Sequence, residues 1–364
     1  MLRTDEIQIN IGPQHPATHG VFRMLVTLDG EVVTKVENKV GYLHRGMEKL
    51  AESRTYPQYI PYTDRFDYLG PAVANIGYVE TIEKLMGVEV PERAQYLRII
   101  FYELQRIASH MVATGCNASD LGGLTPFLYC LRDREKILDL FEMSSGGRMT
   151  VNLPRIGGII EPPEEFWPAL NKFLDEMPGS IDEYNGIITG NEIFQARTKG
   201  VGILTKEVAE ALSVTGPILR ATGVKWDVRK NAPYSIYDRF DFEVPTGENG
   251  DCFDRYWVRI REMEESVKII RQAVRDIPEG PTFAKVAKVI KPPAGEVYHR
   301  IEGVRGEMAY YCVSDGSTKP YRLRLRGGSF VNIQMLPVVV PGWKVADLIA
   351  ILASLDIVLP ECDR

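Results

Sequence analysis

Nine residues, Gly12-Pro13-Gln14-His15-Pro16-Ala17-Thr18-His19-Gly20, hold two of the chain's five histidines. Imidazole changes charge near neutral pH, so such a pair could pass protons or bind a metal. A spacing of four would put both rings on one helix face. Pro16 between them and the flanking glycines instead describe a stiff turn, so a helical metal face is not expected. Turn histidines are surface or structural groups unless other parts of the chain supply partners. Three clusters could do so: Tyr62-Thr63-Asp64-Arg65-Phe66-Asp67-Tyr68, Asn117-Ala118-Ser119-Asp120-Leu121-Gly122-Gly123, and Gly41-Tyr42-Leu43-His44-Arg45-Gly46-Met47-Glu48-Lys49.

The elements that must position these groups follow from periodicity. Phe22, Met24, Val26 and Leu28 alternate into Asp29-Gly30 and on to Val32, Thr34 and Val36. Asp-Gly between two alternating runs predicts a hairpin, so the histidine turn leads into a strand. Beyond Gly41 the pattern becomes helical. After Pro91, the residues Leu97, Ile100, Phe101, Leu104, Ile107, Ala108 and Met111 recur at helix spacing to about Gly115, which would leave Asp120 in the segment after the helix. On that stripe His110, with Glu103 and Arg106, reads as a structural hydrogen-bonding histidine. A second helix is expected from Cys252 to Ile277. It carries Arg255, Arg259 and Glu262 opposite its apolar stripe, a pattern that reads as a solvated or partner-facing side. Alternation returns at Met308 to Val313 and, after a Ser-Asp-Gly turn, at Tyr321, Leu323 and Leu325; a last helix is expected over Val345 to Leu355. Strands, helices, strands and a helix without regular alternation predict an α+β fold. The chain reads as one unit over 1–364, with a β-rich part at 1–65, a mainly helical core at 66–280 and an α+β C-terminal part at 281–364.

Several function classes are disfavoured. A net charge of −6 argues against a nucleic-acid binder, although Tyr321 to Arg326 is locally basic. G-x-G-x-x-G and P-loop motifs are missing, so nucleotide binding has no sequence basis. Five scattered cysteines and a polar start, Met1 to Glu6, read as reduced cytosolic thiols without a secretory signal. The longest uncharged run, Gly327 to Trp343, is broken by Pro337 and Pro341 and reads as uncharged surface over Phe330 to Trp343, so no membrane crossing is expected.

Taken in order, the strings G-P-Q-H-P-A-T-H-G-V-F-R, G-Y-L-H-R-G-M-E-K, Y-T-D-R-F-D-Y, D-L-G-G-L-T-P-F and R-E-M-E-E-S-V-K-I-I, with a terminal D-R, make the chain resemble one family over nearly its full length. That family is the quinone-binding catalytic D subunits of proton-pumping NADH:quinone oxidoreductase, respiratory complex I. The resemblance implies the fold of the [NiFe]-hydrogenase large subunit with its metal lost. Where a hydrogenase carries its four cysteine ligands, this chain has Asp67, Gly70, Val358 and Glu361, which cannot supply the thiolates that nickel needs. Cys362, one place beyond a ligand position, reads as an ordinary thiol.

The resemblance also assigns roles. His19 and Tyr68 match residues that hydrogen-bond a quinone headgroup, and Asp120 matches the carboxylate that pairs with the histidine, whereas His15 would shape the turn. Arg45 and Arg65 match arginines near a [4Fe-4S] cluster held by the neighbouring B subunit; on residue type alone, salt bridges to Glu48 or Asp67 account for them equally well. No cofactor is expected on this chain itself. Quinone is the implied substrate, the B, C, H and I subunits the implied partners, and the cytoplasmic side of the cell membrane, peripherally bound, the implied location. Where several relatives carry a histidine after a G-x-R near position 148, this chain has Arg148-Met149-Thr150, which suggests a low-potential quinone such as menaquinone. A related complex fed by reduced F420 or ferredoxin would use the same module, so the electron donor is open at this level.

Overall fold

In the computed structural model, residues 6–364 are described; the polar stretch Met1 to Asp5 lies outside them. Strands β1 (Ile7–Ile11), β2 (Arg23–Asp29) and β3 (Val32–Lys39) form an antiparallel sheet in that order. The expected hairpin is present, with Asp29 paired to Val32 across a Gly30 whose φ is +62°. Strands occupy the N-terminal part only to Lys39. Helices α1 (Met47–Ala51) and α2 (Tyr56–Thr63) follow within the stretch read as β-rich.

The helical core contains α3 (Pro71–Met86), α4 (Glu92–Asp120), α5 (Leu124–Ser145), α6 (Phe166–Tyr184) and the helix Cys252–Asp276. Helix α4 runs one turn beyond the expected end. Its apolar stripe fades after Gly115, but the backbone stays helical to Asp120, which places that carboxylate on the helix itself. A C-terminal antiparallel sheet pairs strands Gly295–Gly303, Gly306–Ser314 and Arg322–Arg326, the first of which the sequence pattern does not predict. Strands and helices thus remain segregated, as an α+β fold requires. One apolar core joins α2 to α6, the helix Cys252–Asp276 and this sheet; a second lies under β1–β3.

Two expectations about surface are overturned. Ile333, Met335, Leu336, Val339 and Val340 of the uncharged run are buried in the second core, where Asn38 Nδ2 of β3 donates to Ile333 O at 2.7 Å. Arg255, Arg259 and Glu262 are likewise buried. Charge is admitted there because partners meet it: Arg255 donates to Ser354 Oγ at 2.9 Å and to Gly202 O at 2.7 Å, and Glu262 accepts from Arg220 at 2.8 Å. His110 pairs with Glu262 at 2.8 Å, not with Glu103 or Arg106, and burial lowers its proton affinity. Glu103 instead accepts from Arg106 and Arg229 and from the Tyr237 and Ser266 hydroxyls. Burial alone would raise its pKa, but Arg106 and Arg229 hold it below the usual range.

Removing one partner from such a sealed network leaves an uncompensated buried charge and costs about 3–5 kcal/mol. Glu103→Ala, which takes from Arg106 its carboxylate partner and leaves Arg229 with Asp227 alone, should therefore melt several degrees below the unaltered chain in a circular-dichroism scan. An unchanged melting temperature would show that water reaches these groups.

Candidate functional site

His19 is set by the turn before β2. His15 Nδ1 accepts the Ala17 N–H at 3.2 Å, and the buried Thr18 hydroxyl donates to His15 O at 2.6 Å, closing one 3-10 turn over Pro16–Thr18. His15 therefore shapes the turn. Gly12, at φ +79°, is required: a Cβ there would lie 2.0 Å from Phe22 O. The turn releases His19 at φ +49°, a left-handed conformation that an L-residue holds only under constraint.

Tyr68 follows α2. Asp67 Oδ1 accepts from the N–H groups of Leu69 and Gly70 at 3.1 and 3.0 Å, and Gly70 leads into Pro71 at the start of α3. A Cβ on Gly70 would stand 2.3 Å from Asp67 Oδ2, so only glycine lets the carboxylate fold back here. Gln105 of α4 donates to Leu69 O at 2.8 Å and fixes this loop against the helix that ends in Asp120.

These three elements meet at one cavity of about 340 Å³. His19, Tyr68 and Asp120 line it together with Cys116, Phe127 and Asp356. His19 Nε2 lies 2.7 Å from Asp120 Oδ2, in a pair whose side chains are 16% and 15% exposed. Burial raises the Tyr68 phenol above its ordinary value, so it stays protonated and able to donate. The cavity wall is otherwise largely apolar.

The four positions Asp67, Gly70, Val358 and Glu361 differ in chemistry. Gly70 and Val358 offer no side-chain donor. Asp67 and Glu361 both face the guanidinium of Arg305, which also lies 3.5 Å from Asp356 Oδ2 and donates to Ser109 Oγ at 3.0 Å. An organic cation is therefore the charge these carboxylates answer. Sequence reasoning singles out neither Arg305 nor Asp356. The signal for Arg305 is a lone arginine between Gly303 and Gly306, the shape of a two-residue hairpin turn; nothing in the pattern shows that the turn is buried.

Arg45 and Arg65 lie outside the cavity. Arg45 Nη2 donates to Arg65 O at 2.9 Å, and Arg65, half exposed, pairs with Asp64 at 3.2 Å, not with Asp67. Asp67 is unavailable because Arg305 engages it. Glu48 serves Arg322, Arg324 and the Leu325 N–H instead of Arg45. The remaining polar groups of that motif are structural, with Gly41 and Leu43 donating to the Asp363 carboxylate at 2.6 and 2.7 Å. Cys362 is a buried thiol with no disulfide, as are Cys130, Cys252 and Cys312.

Proton-donating groups around a largely apolar cavity are an arrangement able to hydrogen-bond a carbonyl-bearing, otherwise apolar molecule. A family model described as the 49 kDa subunit of respiratory-chain NADH dehydrogenase matches residues 120–293 and 282–364. The NADH-quinone oxidoreductase D subunit of Desulfitobacterium hafniense (strain Y51) is 62% identical over 99% of this chain and 98% of its own length. Those of Clostridium beijerinckii and Dehalococcoides mccartyi (strain ATCC BAA-2266 / KCTC 15142 / 195) are 60% and 58% identical over all of this chain and 98% and 100% of their own. The chain is thus a subunit of an oxidoreductase complex. It belongs to the family of the 49 kDa subunit of respiratory-chain NADH dehydrogenase, the D subunits of NADH-quinone oxidoreductases.

Cys116 is the one cysteine on the cavity wall, and burial pushes its thiol up to about 12. Alkylation needs the thiolate. Iodoacetamide at pH 7.5 should label Cys116 far more slowly than a free thiol, with the rate still rising above pH 10; rapid neutral labelling would contradict the buried thiol.

Proposed function

We propose that this chain forms the quinone-reduction site of a proton-translocating NADH:quinone oxidoreductase. The observation that carries the reading is the convergence of His19, Tyr68 and Asp120 on one cavity, with the histidine and aspartate already paired. Reducing a quinone to a quinol takes two electrons and two protons, so acids must stand within hydrogen-bond reach of both carbonyl oxygens. Asp120 engages Nε2 of His19, which leaves Nδ1 to meet one oxygen; the carboxylate orients the ring and balances an imidazolium. Tyr68 gives a proton to the other oxygen without having been ionised beforehand. The apolar remainder of the wall suits the quinone ring.

In this reading the electrons come from a [4Fe-4S] cluster in the neighbouring B subunit. The exposed Arg65 and its companion Arg45 would face that cluster and favour its reduced form. The C, H and I subunits complete the surroundings on the cytoplasmic face of the membrane, and the Arg148-Met149-Thr150 departure favours menaquinone. No helix among the described residues is long and apolar enough to cross a membrane, which supports peripheral attachment through partners. The relatives' name supports NADH as donor over reduced F420 or ferredoxin.

Tyr68→Phe keeps the ring and loses the donor. Loss of one donor to developing charge costs on the order of 3 kcal/mol, a roughly hundredfold fall in quinone reduction. Donor oxidation with an artificial acceptor should persist. Asp120→Asn should also lower quinone reduction, by weakening the proton supply through His19. Near-normal quinone rates in both variants, assayed in the assembled complex, would leave the cluster merely structural.

A further inference from the structure

Donating its proton would leave Tyr68 a phenolate after each turnover, and that proton has to be restored before the next. Asp356 lines the same cavity, is 4% exposed, and takes no part in the His19–Asp120 pair. Its φ of +54° is, like that of His19, left-handed, a conformation that persists where the surroundings over-determine it. Behind it sits the guanidinium of Arg305, contacted by Asp67, Asp356 and Glu361, three carboxylates to one cation.

Arg259 stands near Asp356 as a second cation, its own hydrogen bonds going to the neutral Arg255 O and Ser354 O at 2.9 Å each, while Glu262 behind it is matched by Arg220 and His110. On the cavity side, His19 is matched by Asp120, and the remaining titratable groups are the neutral Cys116 thiol and Tyr68 itself. The backbone meets Glu361 through the Gly328 and Ser329 N–H groups, yet Asp67 Oδ2 is buried with no hydrogen-bond partner among the described residues. Three ionised carboxylates would carry more negative charge than Arg305 and Arg259 together can balance, and a proton held on Asp67 or Glu361 relieves the excess. Burial and mutual repulsion, against the pull of Arg305, hold Asp67 and Glu361 above the usual carboxylate range.

We propose that Asp356 relays a proton to the Tyr68 phenolate from Asp67 and Glu361, the carboxylates that surround Arg305 with it. The proposal rests on the reading of this cavity as a quinone-reduction site. Tyr68 breaks its O–H bond to protonate a quinone oxygen that has received electrons from the partner cluster. A proton held by Asp67 or Glu361 then crosses Asp356, whose carboxylate takes it up on one oxygen and gives it from the other, restoring the phenol directly or through one water and leaving one more carboxylate beside Arg305. A carboxylic acid is a stronger acid than a phenol, so the transfer runs downhill. Once the quinol leaves, solvent entering the empty cavity returns the proton to the cluster.

Asp356→Asn keeps the shape and the contact to Arg305, tolerates the left-handed backbone and carries no transferable proton. In the assembled, pre-reduced complex mixed with one short-chain naphthoquinone per site, the first turnover should keep its rate. Steady-state turnover should fall by roughly tenfold or more, with the loss growing as pH rises. Asp356→Glu should restore most of it. Equal slowing of first and later turnovers, or no change in either, would overturn the proposal. Glu361→Gln, which lies off the cavity, removes one carboxylate from the shared set and should give the same split between first and later turnovers; an unsplit loss there counts against the reservoir even if Asp356→Asn fails to assemble. Tyr68→Phe run in parallel separates the two ideas: full rates in that variant would reject the quinone-site reading itself.

Discussion

A guanidinium that water cannot reach must find its partners inside the protein, and Arg305 is met by three carboxylates drawn from two distant parts of the chain. Asp67 comes from the loop after α2, and Asp356 and Glu361 from the C-terminal segment. Arg305 itself stands at the tip of the hairpin joining Gly295–Gly303 to Gly306–Ser314. Its burial therefore clamps a loop, a hairpin and the C-terminal segment at one point. Tyr68 is adjacent to Asp67 in sequence and Ile357 lines the cavity beside Asp356, so the wall of the site is a by-product of that clamp.

Helix α4 does the complementary work. Through Gln105 it holds the Tyr68 loop, through Ser109 it touches Arg305, and at its last residue it presents Asp120 to His19. Its other buried charges, Arg98, Glu103, Arg106 and His110, bind it to α3, to the helix Cys252–Asp276 and to the C-terminal sheet. A helix locked by ion pairs on several sides can hold an aspartate within hydrogen-bond distance of a strained turn. Directional contacts fix position in a way that non-directional apolar burial alone does not.

Much of the site was legible because its parts are local. The proline and glycine turn, the Asp-Gly hairpin and the long apolar helix each follow from rules acting over a few residues, and the ordered strings supported the pairing of His19 with Asp120. What escaped was burial of charge. Arg255, Arg259 and Glu262 look like a solvated face because periodicity sees polarity and not partners. The partners, Ser354, Gly202, Arg220 and His110, lie tens of residues or more away. The uncharged run from Phe330 to Trp343 failed for the reverse reason: nothing local distinguishes an apolar surface from an apolar core.

The sequence by itself determined the residue types at the site, the stiff turn carrying His19 and the α+β order. Tertiary structure alone decided that Arg305 gathers Asp67, Asp356 and Glu361, that Arg65 pairs with Asp64 instead of Asp67, and that Asp356 joins the cavity. The physical reason is that each of these outcomes depends on which charges are brought together out of water. Desolvation makes such choices strong, and it acts on spatial neighbours, which the order of residues along a chain does not specify.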